Sequence, residues 1–235
     1  MSAEEKPRLP GIKGADDRQL IRVSAYPWSA IGRVNRRVGG FCTGTLIAPD
    51  RVLTAAHCLW NKRTQNWLPP SSLHFVAGYR QGDYAAESAI SEYHPAPGYQ
   101  YSKKPALDQM ARDWAVLTLS KSIGNQLGVL RLMDVAKSAP FGTKVIQAGY
   151  SQDKAHILTI HVGCSFVGWH LRGRLVLHDC DAVKGDSGSP ILFSDSQGSK
   201  IIAIHVVTLF TGSKELGVAV FGAAITAHLP RADHD

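Results

Sequence analysis

Short apolar runs punctuated by turn residues constrain this chain more than any other feature. Residues 45–48, 51–54, 73–77, 114–119, 144–148, 157–162, 174–177, 190–193, 200–207 and 218–221 are rich in Val, Ile and Leu and are separated by Gly, Pro, Asp and Asn. Runs of that length and spacing read as strands. Helical character is confined to a turn at 55–59 and a short C-terminal segment at 223–229, ahead of Pro230. The expected class is therefore all-β, and 235 residues suffice for two small barrels or sandwiches with separate cores. The polar, Gly-containing stretch 121–128 is the expected seam. Residues 71–105, with Pro95, Pro97, Pro105 and several tyrosines, read as turns and surface loops over one strand or two, without chemistry that can be named.

Composition excludes several classes. Hydrophobic residues make up 44% of the chain and charged residues 19%, which rules out a disordered tail. The net charge of +7 is spread along the chain, and the densest basic cluster, Arg33, Arg36 and Arg37, reads as a solvated loop. A nucleic-acid reader needs a basic stripe with base-reading or stacking groups, and none is evident. The longest apolar stretches, 201–210 and 216–229, are short or broken by His, Gly and Thr, against the roughly 18 residues a spanning helix needs. Residues 1–10 open polar and acidic, as a pro-segment or expression tail would, with no apolar signal core.

Cys42, Cys58, Cys164 and Cys180 contain no C-x-x-C pair, so tetrahedral zinc spacing is absent and disulfides are the better reading. Pairing neighbours, Cys42 with Cys58 and Cys164 with Cys180, closes two loops worth about 3 kcal/mol each in the chain-entropy model. Oxidised cysteines imply a secreted or periplasmic protein. Four buried thiols in a cytosolic protein are the alternative, which thiol titration under denaturant separates.

Three segments could carry chemistry. In Gly185-Asp186-Ser187-Gly188-Ser189-Pro190, a serine sits on a tight turn ahead of an apolar strand. Such a turn aims backbone N–H groups, here of Gly185 and Ser187, at one point, as a tetrahedral oxyanion requires. An ordinary Gly/Ser/Asp turn would have the same composition. A serine nucleophile needs a base. His57 is the candidate, because it follows two strands and a small-residue turn and immediately precedes Cys58. A histidine base works best with a buried carboxylate, and Asp113 directly precedes the apolar run 114–119. Taken alone, Asp113 is equally well a strand-end charge facing water.

Taken together, Thr54-Ala55-Ala56-His57-Cys58, Asp113-Trp114-Ala115-Val116-Leu117 and Gly185-Asp186-Ser187-Gly188-Ser189-Pro190, in that order, resemble the trypsin and chymotrypsin family of serine proteases. Cys42 stands at that family's usual bridge to Cys58. The resemblance runs from about Gly11 to about Leu229 and implies two six-stranded antiparallel β-barrels with a short C-terminal helix and a site between them. Residues 11–122 would form the first barrel, carrying His57 and Asp113, and residues 123–235 the second, carrying Ser187. It further implies peptide-bond hydrolysis through an acyl-enzyme, protein or peptide substrates, and no metal or organic cofactor. Ser189, the Asp16-Asp17-Arg18 start and the His178-Asp179-Cys180-Asp181 run look like the bacterial V8-type, glutamyl-endopeptidase-like branch, whose members are mostly exported.

Specificity signals conflict. Asp181 stands six residues before Ser187, where an aspartate selects Arg or Lys in trypsin-like members, and a basic P1 residue is the expectation on that ground. His205 looks like the histidine with which glutamyl-specific members receive a P1 carboxylate, which makes glutamyl specificity the alternative. Val206-Val207-Thr208 replaces the family's Gly-containing strand, and a narrow or occluded pocket is expected from it. Asp186 would pair with a freed N-terminal ammonium in trypsin-like members, so cleavage near Arg8, Pro10 or Lys13 would precede activity. A silent member of the fold that binds peptides or partner proteins is a further alternative. An α/β-hydrolase is excluded, because its triad order is Ser, Asp, His.

Overall fold

The computed structural model describes residues 9–22, 25–133, 141–211 and 214–229. Strands β2 (Ile31–Arg36), β3 (Phe41–Ala48), β4 (Arg51–Thr54), β7 (Leu73–Ala77), β8 (Ala86–Pro95) and β9 (Ala115–Leu119) close a barrel in the order β2-β3-β4-β9-β8-β7. Between β4 and β7, the short strands β5 (Trp60–Asn61) and β6 (Asn66–Trp67) form a hairpin of their own.

A second antiparallel sheet contains β10 (Lys144–Gly149), β11 (Leu158–His170), β12 (Leu175–His178), β13 (Pro190–Asp195), β14 (Gly198–Thr211) and β15 (Lys214–Phe221). Its order β11-β10-β13-β14-β15-β12 closes where β12 pairs back onto β11. Closure removes the unpaired edges that short strands would otherwise expose. Both six-stranded barrels expected from the sequence are thus present, followed by a short helix at Gly222–Thr226.

Hydrophobic side chains from the strands fill the interior. Leu46, Leu53, Phe75 and Leu117 are fully buried in the first barrel, and Phe166, Val176 and Ile191 in the second. The strand runs read from the sequence recur with small shifts at their ends, and β11 and β14 extend well beyond them. Strand β2 went unread because Gly32, Arg33, Asn35 and Arg36 interrupt its apolar pattern. The Arg33-Arg36-Arg37 cluster is accordingly no solvated loop: Arg33 and Arg36 lie half-buried on β2.

In the seam, the helix at Gly124–Leu127 docks on the β3–β4 turn, with the Gly124 N–H donating to the Pro49 carbonyl at 2.8 Å. Strand β1 (Gln19–Ile21) pairs with β11 of the second barrel, while the Leu130 N–H donates to the Leu46 carbonyl of the first at 2.8 Å, so segments on both sides of residue 122 cross to the other barrel. Both disulfides, Cys42–Cys58 and Cys164–Cys180, are formed, and no cysteine is free. Among the described residues no helix is long and apolar enough to cross a membrane.

Candidate active site

Barrel neighbours bring His57 and Asp113 together. Thr54, the last residue of β4, pairs with Ala115, the first of β9. His57 lies three residues beyond one partner, in a tight helical turn (Ala56–Leu59), and Asp113 two residues before the other. The adjacent Cys58 is bridged to Cys42 on β3, which anchors the turn. Asp113 is buried, and both its oxygens are spent on His57: Oδ1 accepts the backbone N–H at 2.8 Å and Oδ2 lies 2.7 Å from Nδ1. A carboxylate held this way fixes the Nδ1–H tautomer and leaves Nε2 as the base. Tyr99 lies close by, its hydroxyl pushed up in pKa by burial and then by the Asp113 charge.

The serine loop is shaped by its own bonds. Asp186 accepts the Val183 N–H at 2.8 Å, and the Ser189 N–H donates to the Asp186 carbonyl at 2.9 Å. Gly185 has φ +104°, and a Cβ there would lie 2.4 Å from the Tyr150 carbonyl, so only glycine fits. The Lys184 carbonyl accepts the Gln152 N–H at 2.7 Å. In a trans peptide the C=O and the next N–H point oppositely. The Gly185 N–H is therefore turned away from Gln152, and neither it nor the Ser187 N–H has an acceptor among the described residues. Ser187 Oγ likewise makes no hydrogen bond among them. It lines, with His57 and Asp113, one cleft of about 300 Å³. Serine–base hydrogen bonds are often long in unliganded sites and tighten with substrate.

Thr43, on β3, ties the loop to the other barrel and was missed in the sequence. Its N–H donates to the Ser187 carbonyl at 2.9 Å, and its hydroxyl donates to the Gly185 carbonyl at 3.1 Å while accepting the Tyr150 N–H at 2.9 Å. Its place beside Cys42 is the only signal that could have suggested it. Segment 71–105 also contributes more than loops over strands: Tyr99, Tyr101 and Lys103 line the cleft, and Tyr101 stacks on Trp60 at 5.4 Å.

His205 lines the same cleft while only 3% exposed. Backbone bonds from Gly188 N–H to the His205 carbonyl (2.8 Å) and from His205 N–H to the Ser189 carbonyl (2.9 Å) lock it beside the serine loop. Behind it, His178 Nε2 lies 3.0 Å from His205 Nδ1. The His178 ring fills the space over Gly217, where a Cβ would come within 2.1 Å of it. Burial, then the Lys13 and His57 charges, push His205 down to about 3, and burial holds His178 well below its ordinary value, so both rings are neutral near pH 7. Val206, Val207 and Thr208 line the same cleft.

One sequence expectation is corrected. Asp181 is fully buried and faces away from the cleft: Oδ1 accepts the Lys13 N–H at 2.6 Å and Oδ2 the Asp17 N–H at 3.1 Å. Its charge is consumed in binding the N-terminal segment and is not offered to a basic P1 side chain. Asp17, His161 and Asp181 present ligand-type atoms within 4.8 Å of one another, but both Asp181 oxygens already serve those amides. With the N-terminal segment attached, Asp186 accepts from Ser151 Oγ at 2.8 Å and from the Val183 N–H at 2.8 Å. Gly11 N–H donates to Glu215, and the Ala182 N–H to the Gly11 carbonyl, so the N-terminal segment is stitched along the second barrel.

Comparison with known proteins agrees with this geometry. The chain is 26% identical over 219 residues to a glutamyl endopeptidase of Bacillus licheniformis, covering 87% of this chain and 63% of that protein, so it spans less than two thirds of that relative's length. It is 28% identical over 199 residues to a trypsin-like protease of Streptomyces glaucescens, covering 75% of this chain and 68% of that protein. A solved Glu endopeptidase in complex with MPD shares the fold with a TM-score of 0.76 at 22% identity, over 92% of this chain and 95% of the other. The Trypsin family model matches residues 20–224, a span that takes in both barrels, the His57–Asp113 pair and the serine loop, and the chain belongs to the trypsin family.

Proposed function

We propose that this protein is a serine endopeptidase that cleaves after glutamate. His57 Nε2 takes the Ser187 Oγ proton as the oxygen attacks the scissile carbonyl. The tetrahedral oxyanion is held by the Gly185 and Ser187 N–H groups, and Asp113 supports the imidazolium through Nδ1. The proton passes to the leaving amine, and water then hydrolyses the acyl-enzyme by the same steps in reverse. No step requires a metal or organic cofactor. The observation that carries the specificity is His205: a buried imidazole beside the serine loop, backed by His178, in a cleft whose only carboxylate among the described residues, Asp113, is already bonded to His57. With His178 Nε2–H donating to His205 Nδ1, the His205 Nε2–H is left for a substrate carboxylate. The Lys13 ammonium, bonded to the Cys180 carbonyl at 2.5 Å, adds positive potential to the histidine pair. The Bacillus relative's name points the same way.

The oxyanion groups are open with residues 9–13 still attached, which supports activity without a freed ammonium at Asp186. The two disulfides support an exported protein. A peptide library varied at P1, with fluorophosphonate labelling of wild type and Ser187→Ala, tests the proposal. Cleavage after Glu with labelling lost in Ser187→Ala is expected. A preference for Arg or Lys, or labelling that survives the substitution, overturns it.

A further inference from the structure

A second hollow, of about 210 Å³, lies between the β2–β3 hairpin and the serine loop, lined by Arg36, Gly40, Phe41, Gln152, Lys184 and Gly185 among others. It shares Lys184 with the catalytic cleft, and the Gly185 peptide forms part of its wall. Phe41 precedes Cys42, which is bridged to Cys58 beside His57. With the P1 side chain on the His205 side, a leaving peptide that passes His57 runs along this hollow.

Both charged residues lining the hollow are cationic. The Arg36 guanidinium is half-buried, its Nε is shielded from solvent without a hydrogen-bond partner, and it has no ion pair among the described residues. Burial lowers its pKa, with no carboxylate among the described residues to offset the cost. It lies across the hairpin, where a Cβ on Gly40 would meet it at 2.8 Å. Lys184 is exposed and also without an ion pair among the described residues. The Arg33 guanidinium carbon stands 4.0 Å from the Phe41 ring centroid. A guanidinium taken out of water with no counter-charge is a cost that a carboxylate from outside the chain would relieve, with bidentate geometry available.

We infer that this hollow is an anion subsite on the leaving-group side, which takes an acidic side chain from the first three residues after the scissile bond. The inference rests on the endopeptidase reading for its place in the reaction, and it concerns residues apart from the P1 pocket. Quenched-fluorescence peptides with Glu at P1 and an amidated C-terminus, in which one glutamate is walked through the three positions of an otherwise alanine leaving segment, test it. At low salt the best-placed glutamate should raise kcat/KM about tenfold over alanine. The gain should shrink several-fold in about 0.5 M NaCl. In Arg36→Gln the glutamate-to-alanine ratio should fall to about one, and in Lys184→Gln to an intermediate value. A wild-type ratio near one at every position, or an unchanged ratio in Arg36→Gln, overturns the inference.

Titration of Ser187→Ala protein with the fluorescent leaving segments alone reads the hollow without turnover. Tighter binding of the glutamate segment, lost in Ser187→Ala/Arg36→Gln, upholds the subsite even if no peptide is hydrolysed, a result that would count against the endopeptidase reading alone. Equal binding of the two segments overturns the subsite. Thermal melts establish that Arg36→Gln is folded, and Lys184→Gln supplies the comparison if it is not.

Discussion

Replacing Arg18 by Met should weaken both the fold and the proposed oxyanion hole. The Arg18 side chain is fully buried and grips two carboxylates: Nε and one terminal nitrogen reach Asp16 at 2.8 and 2.9 Å, and both terminal nitrogens reach Asp153 at 3.0 and 2.8 Å. Asp153 belongs to the turn whose Gln152 N–H fixes the Lys184 carbonyl, and thereby the direction of the Gly185 N–H. Breaking a buried ion pair costs about 3–5 kcal/mol. Here the side chains of Asp16 and Asp153 are 38% and 23% exposed, so water and Lys154 take over part of the pairing and the low end, about 3 kcal/mol, applies. At about 2–4 °C per kcal/mol for this size, Tm should fall by about 6–12 °C.

The acid dependence has a definite sign. Hydrogen bonds from Arg18, above all, hold the Asp16 carboxyl below its ordinary 3.8, and at Asp153 the same guanidinium outweighs the upward push of burial. Their stabilisation is present above pH about 4 and is lost as pH falls below it, so the gap between wild type and variant should close in acid. Removing an oxyanion donor outright costs about 10²–10³ in kcat, and loosening one should cost about tenfold with KM little changed. Calorimetry from pH 3 to 8, together with active-site-titrated kinetics on a P1-Glu peptide, reads both effects. An unchanged kcat beside a lowered Tm refutes the coupling to the hole, and a Tm shift under about 2 °C refutes the energetic argument.

Thr43→Val strands the Gly185 carbonyl and the Tyr150 N–H without their partner, so stability should drop by about 1–3 kcal/mol in denaturant titrations and kcat should fall more than KM rises. Burial pushes Asp186 up to about 6, so the folded chain holds a proton there that the unfolded chain, at its ordinary 3.8, releases. That stabilisation is complete below pH about 4 and lost as pH rises through 6; Asp186→Asn should flatten the profile, gaining up to about 3 kcal/mol relative to wild type between pH 4 and 8. An unaltered pH profile of Tm would contradict this. His178→Phe removes the group bonded to His205 Nδ1, and selectivity for Glu over Gln at P1 should fall about tenfold, measured as a ratio of kcat/KM. Equal selectivity in variant and wild type would show that His178 does not orient His205.

Some of this was legible in local sequence because the determining interactions are themselves local. Apolar runs between turn residues announced most strands, and the segments around His57, Asp113 and Ser187, taken together, pointed to the candidate site. Strand β2 escaped because its half-buried arginines break the alternation, one of them packed on Phe41 and the other set in the hollow. Asp181 was misread for a related reason: its spacing from Ser187 says where the backbone passes, not which way the carboxylate turns.

Chain chemistry alone thus pointed to an all-β protein with two cores, to disulfides between neighbouring cysteines, and to residue types suited to nucleophilic catalysis, and the resemblance to a family added the two closed barrels. Tertiary structure decided what those residues face. Asp181 binds the N-terminal segment because unsatisfied backbone N–H groups arrive there from residues 13 and 17. His205 is backed by a second imidazole because β12 and β15 place His178 behind it over a glycine. The physical reason is common to both cases: a buried charge or imidazole is governed by partners that lie distant in sequence and meet only when the barrels close.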